Sequence, residues 1–147
     1  MIYHYTTRLI GMRIRRAGFI KALPMLLYLD LMATRERQLS PVVWFTVSEE
    51  LDGPIRVKGM VDGITVEQPG AFWRFCFPDE IAPDNLPTWA DRHGHHQDLF
   101  YYMIMTADMA GSEYPDWRLS ETDVSLTHCL AIEHLVKGEW LPVSEES

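Results

Sequence analysis

The chain offers little sulfur chemistry: its 147 residues hold two cysteines, Cys76 and Cys129, each inside an apolar segment and neither at metal-ligand spacing. That excludes a disulfide framework and reads as buried free thiols in a reducing compartment. Long apolar runs are also missing. The longest, Met25 to Met32, is interrupted by Asp30 and falls far short of the roughly 20 residues a spanning helix requires. His4, Arg8, Arg13, Arg15 and Arg16 break any secretory apolar stretch near the start, so the first residue is the expected mature start. A cytoplasmic protein with no membrane partner is the expectation. No Gly-rich phosphate loop, dinucleotide fingerprint, nucleophile elbow or informative Cys–His spacing occurs, which sets aside kinase, Rossmann oxidoreductase and α/β-hydrolase chemistry.

Positive charge is scarce too. Thirteen Lys and Arg face 21 Asp and Glu, a net charge of −8 with a pI near 5.1, which argues against broad attraction to phosphate backbones but not against a locally basic cleft. The cations are uneven: Arg8, Arg13, Arg15 and Arg16 sit together, while Ser144 to Ser147 form an acidic tail expected to be flexible. What is present is ordinary globular composition, 47% apolar and 23% charged, at the length of one domain spanning residues 1–147. No repeat or linker divides it.

Ile2 to Thr6 alternates as a strand. A helix follows, with Thr6 or Thr7 as cap, Ile10, Ile14 and Ala17 on one face and Gly18 as stop. Pro24 to Arg37 reads as helix or as buried strand. Val42 to Val47, β-branched and aromatic, reads as a central strand. Ile55 to Met60 and Ile64 to Glu67 read as short strands around an Asp62-Gly63 turn, and Phe72 to Phe77 as a strand ended by Pro78. Pro78 to His96 reads as a long loop and Gln97 to Ala110 as a helix stopped by Gly111. Trp117 to Leu119, Val124 to Leu126, Cys129 to Val136 and Trp140 to Val143 read as strands, with a turn at Lys137-Gly138. This order predicts an α+β domain, a mixed, mostly antiparallel sheet with two to three helices.

The phrase Ile2-Tyr3-His4-Tyr5-Thr6, followed by a helix ending Arg16-Ala17-Gly18, resembles the first strand of the NAD-dependent ADP-ribosyltransferase superfamily, and Pro41-Val42-Val43-Trp44-Phe45-Thr46 looks like the aromatic second strand of its small bacterial and phage relatives. The resemblance implies an ADP-ribosyltransferase-like fold, NAD as substrate and an unknown macromolecular acceptor, protein or nucleic acid. It matches His4 and Thr6 to the positions that hold the nicotinamide ribose, and makes Glu133, in Leu130-Ala131-Ile132-Glu133, the candidate late-strand glutamate. Trp44 or Tyr5 stands in for the stacking tyrosine, which has no unambiguous match.

The residue types suit that chemistry. Breaking a glycosidic C–N bond builds positive charge on the ribose, which an ionised Glu133 would stabilise while orienting the acceptor. A neutral His4 donates one hydrogen bond and accepts another, Thr6 would bond the carboxamide, and Arg8 or Arg13 would meet the diphosphate. Blander roles compete: Glu133, on the side of its strand shared with Cys129, Ala131 and Leu135, as a solvated edge residue, His4 as a satisfied core histidine, Trp44 as packing. His93, His95 and His96, beside Asp91 and Asp98, form a titrating loop in which a metal is the lesser reading, since no second ligand group stands at zinc spacing. The rival function is a non-enzymatic module that binds a host or partner protein, as an inhibitor would, through an acidic surface. A second is an enzyme with other chemistry on a nucleotide or nucleic acid.

Overall fold

In the structure, a computed structural model describing residues 1–23, 41–51, 53–92 and 117–144, the opening alternation becomes the strand β1 (Ile2–Thr7), largely buried on both sides. Helix α1 (Arg8–Ala17) follows without a loop. Thr7 occupies its cap position but makes no side-chain cap bond, while Gly18, at φ 84°, ends it by donating its N–H to the Ile14 carbonyl, the left-handed stop expected of glycine. The remaining described strands are β2 (Phe19–Ile20), β3 (Val43–Thr46), β4 (Phe72–Phe77), β5 (Trp117–Ser120), β6 (Val124–Ser125), β7 (Ala131–Val136) and β8 (Glu139–Pro142). Helices α2 (Gly53–Val61) and α3 (Leu86–Arg92) complete the set with two short 3-10 turns.

Six strands form one sheet in the order β5-β3-β1-β4-β7-β8, each neighbour antiparallel, and β2 pairs with β6 in a separate ribbon. The α+β class read from the sequence is the class observed. The β7–β8 hairpin turns through Lys137 and Gly138, at φ 52° and 80°, the doubly positive pair that a two-residue hairpin demands. On the edge strand β8, Pro142 has no N–H to offer a further strand, which blunts that edge.

Helices cover both sides of the sheet. Facing α1 are Ile2, Val43, Phe45, Trp73, Phe75 and Phe77, packed with Ile14, Ile20 and Val124. Facing α2 are Tyr3, Tyr5, Phe72, Cys76 and Leu135, with Ile55, Ile64 and Val66 closing over them. Each large side chain buried this way contributes about 1.5–3 kcal/mol. Successive residues of β4 meet a helical glycine on opposite sides. A Cβ on Gly11 would lie 2.6 Å from the Trp73 ring and one on Gly59 2.7 Å from the Phe72 ring, so both helices approach the sheet as closely as only glycine permits.

Several expectations are corrected. Ile55 to Met60 lies in α2, not a strand, and Ile64 to Glu67 is turn. The β-branched Ile55 and Val57 suggest extended chain, but Pro54 at the helix start and the i, i+4 pair Ile55 and Gly59 facing the sheet decide for helix. Pro78 to Arg92 is not a plain loop: it holds a 3-10 turn at Asp79–Ile81 and α3. Asn85 caps α3, its Oδ1 accepting from the Thr88 N–H at 3.0 Å, a signal the Asn-Leu-Pro sequence carried. Leu126 opens a 3-10 turn, and β7 begins at Ala131 rather than Cys129. The Pro24 to Arg37 and Gln97 to Ala110 readings lie outside the described residues, as do Glu145 to Ser147. Ser144 does not hang free, because its carbonyl accepts from Arg15 at 2.9 Å. Among the described residues no helix is long and apolar enough to cross a membrane.

Candidate functional site

Antiparallel registers decide which candidate residues share a side, because directly opposed residues project the same way. His4 pairs with Phe75, and Phe75 with Ile132. Tyr5 pairs with Arg74, and Arg74 with Glu133. His4 and Glu133 therefore lie on opposite faces of the sheet, His4 with Thr6 on the α1 side and Glu133 on the α2 side. The shared pocket expected of an imidazole and a carboxylate on these two strands is not formed. The backbone layer stands between them.

On the α1 side, His4 is partly buried, with its ring edge-on to Phe45 at 5.9 Å between centroids. Its Nδ1 lies 2.8 Å from the Trp44 carbonyl. A carbonyl only accepts, so Nδ1 carries the proton and Nε2 is left as an acceptor. Burial pushes the pKa of His4 below its ordinary value, against a smaller upward effect of the Trp44 bond. Thr6 is buried at 3% exposure beside it. The acid of the described sheet on this side is Glu139, which pairs with Val136 on the edge strand β8, three strands from β1, so no carboxylate of the described sheet stands opposite His4 and Thr6.

The α2 side gathers more chemistry. One row across the sheet runs Leu119, Trp44, Tyr5, Arg74, Glu133 and Pro142. Arg74 is its centre. Nε donates to Glu133 Oε1 at 2.8 Å and Nη1 to the Glu49 carbonyl at 2.9 Å. The guanidinium lies 4.5 Å from the ring centroids of both Tyr3 and Trp140, a geometry that planar, weakly hydrated arginine favours. The Cys76 thiol also donates to Glu133 Oε1, at 3.3 Å. Burial first, and then the carboxylate beside it, push its pKa up to about 12, so Cys76 is no nucleophile near neutral pH. Tyr5 donates its hydroxyl to the Ser48 carbonyl at 2.6 Å and packs on Trp140, and burial raises its pKa too.

Each nominated residue thus has a place. Glu133 is the partner of a mostly buried arginine, with side-chain exposures of 20% and 11%, rather than a solvated edge residue or an unpaired acid. Trp44 lies T-shaped on Trp117 at 5.1 Å and is partly buried. Arg8 is exposed at the start of α1, beyond the end of β1, its backbone N–H bonded to the Ala71 carbonyl. The residue that sequence reasoning missed is Arg74. Its signal was present, since a lone cation in Phe72-Trp73-Arg74-Phe75-Cys76-Phe77 requires a partner.

Among the described residues two buried indole N–H groups, of Trp73 on the α1 side and Trp117 on the α2 side, have no acceptor, each costing about 1–3 kcal/mol. His93, His95 and His96 lie outside the described residues, and among those described no cluster of His, Cys, Asp or Glu is arranged to hold a metal. The residues nominated for NAD do not compose one site: His4 and Thr6 are on one side, and Tyr5, Trp44 and Glu133 on the other. Compared with family models, curated proteins and solved structures, the chain finds no match.

Proposed function

We propose that this chain is a non-enzymatic binding module, an α+β scaffold that recognises a partner protein without breaking a bond. The observation that carries this reading is the engagement of both candidate catalytic groups in the protein's own structure, on opposite faces. The Glu133 carboxylate already balances Arg74 and accepts from Cys76, and His4 is bonded to a backbone carbonyl. A carboxylate stabilises a developing cation in proportion to the charge it has free, and one neutralised at 2.8 Å by a guanidinium has little to give.

Transfer from NAD remains a second reading, favoured by one observation: Trp44, Tyr5 and Glu133 fall in a single row on one side. It would be an ADP-ribosyltransferase without His4 or Thr6 at the reacting bond, acting on a macromolecule. One assay separates the readings. Wild-type protein is incubated with NAD and released nicotinamide is measured, alongside Glu133→Gln and His4→Gln. No release supports the binding module. Release lost in Glu133→Gln and kept in His4→Gln sinks it in favour of transfer. Turnover of a nucleotide that ignores Glu133 and needs His4 points instead to other nucleotide chemistry on the α1 side.

A further inference from the structure

Residues 1–29 carry five cations and no carboxylate, so the other 118 residues hold all 21 acids against eight cations. The fold concentrates this asymmetry on one surface. Ile10, Gly11 and Ile14 of α1 face the sheet, which turns Arg8, Leu9, Arg13 and Arg16 outward, all exposed, within an arc of roughly 140° at 3.6 residues per turn. Arg15, at the margin of that arc, bonds the Ser144 carbonyl and lies 6.0 Å over the Trp73 ring. Arg8, Arg13 and Arg16 make no ion pair with any described residue, although the protein has acids in excess. Leu9 stands among them at 60% exposure. The first turn of α1 contains no acid and opens on Arg8, where the helix dipole favours an anion.

We infer that this face of α1 is the docking surface of the module, and that its occupant is a short acidic segment of a partner protein carrying an apolar side chain for Leu9. The inference rests on the binding reading above. Like-charged arginines held within about 12 Å along the axis repel one another, and carboxylates that chelate them remove both that repulsion and the mismatch at the helix start. A nucleic-acid strand fits less well. Helix α1 is about 15 Å long, and a longer polyanion would run on from it along a chain whose other 118 residues carry 21 acids against eight cations. Phosphates also offer Leu9 nothing, whereas a peptide offers it an apolar neighbour. The acidic surface itself is a poorer docking site, since its described carboxylates are dispersed: Glu49 and Glu50 follow β3, Asp79 pairs with the N-terminus at 2.7 Å, and Glu121 and Asp123 lie between β5 and β6.

The test uses the full chain and two labelled probes read by fluorescence anisotropy: a twelve-residue peptide of Glu with Leu at every fourth position, and a twelve-nucleotide single-stranded DNA. The peptide is expected to bind and to weaken as salt rises. Arg13→Glu combined with Arg16→Glu is expected to reduce its affinity by at least tenfold with an unchanged circular dichroism spectrum, and Leu9→Ala by about threefold. Peptide affinity unchanged in the charge-reversed protein, or no peptide binding at all, overturns the surface assigned here. DNA bound more tightly than peptide, and lost in the same variant, overturns the partner class. A wild-type protein that releases nicotinamide from NAD fails the binding reading itself, whichever probe binds.

Discussion

The two sides of the sheet are made by the same strands and solve different problems. The α1 side is mostly hydrocarbon and aromatic ring, with the imidazoles of His4 and His134 among them, and it is held by packing against α1 and the β2–β6 ribbon. The α2 side places two tyrosines, three tryptophans, an arginine, a glutamate and a thiol among its apolar residues. That mixture is tolerable because Arg74 and Glu133 are directly opposed on β4 and β7, so each charge finds its partner without a change in chain direction. Buried polar groups must be satisfied together or the arrangement costs more than an apolar core. The contrast teaches that the conspicuous charges of this fold serve its architecture, and that recognition is better sought outside the sheet.

Breaking the pair should hurt most. Arg74→Ala strands the Glu133 carboxylate and removes the cation stacked between Tyr3 and Trp140, and is expected to cost about 3–5 kcal/mol of unfolding free energy in chemical denaturation. Glu133→Gln, which keeps an acceptor for Arg74, should cost less, about 1–3 kcal/mol. Near-equal losses in the two would remove the distinction drawn between the sides. Next come the helical glycines. Gly11→Ala and Gly59→Ala each drive a methyl into an aromatic ring and should each cost about 1–3 kcal/mol by overpacking. A thermal melt in which either variant matches wild type would show that its helix does not approach the sheet as closely as described.

The smallest effect sharpens the contrast by pH. The folded pKa of His4 is depressed by burial, so the unfolded chain binds its proton first. The stability His4 confers is complete above its ordinary value near 6.5 and falls as pH drops from there toward the folded pKa. His4→Gln should therefore flatten the stability curve below about pH 6.5 relative to wild type. Unfolding curves from pH 5 to 8 that stay parallel for the two proteins would show that the imidazole is not buried as a neutral group.

Much of this was legible beforehand. β1, β4, the stop of α1 at Gly18 and the Lys137-Gly138 hairpin follow from alternation, glycine chemistry and positive φ. The same alternation placed Glu133 with Ala131 and Leu135 on one side of β7. What it could not say was whether that side is the side of His4. The answer depends on two registers, β1 with β4 and β4 with β7, and a slip of one residue in either reverses it. The helix α2 was misread because β-branched residues outweighed the i, i+4 spacing of Ile55 and Gly59, and α3 because three prolines drew attention from the Asn85 cap.

The amino-acid order by itself determined the class of the domain, most of its strands, and the gathering of cations into the first helix, since these rest on short-range periodicity and composition. Only the tertiary structure decided that Glu133 answers Arg74 instead of His4, and that three arginines of α1 face outward without an ion-pair partner among the described residues. Those outcomes are set by pairing between strands far apart in sequence and by which helix surface the core claims, and neither is encoded within any one segment.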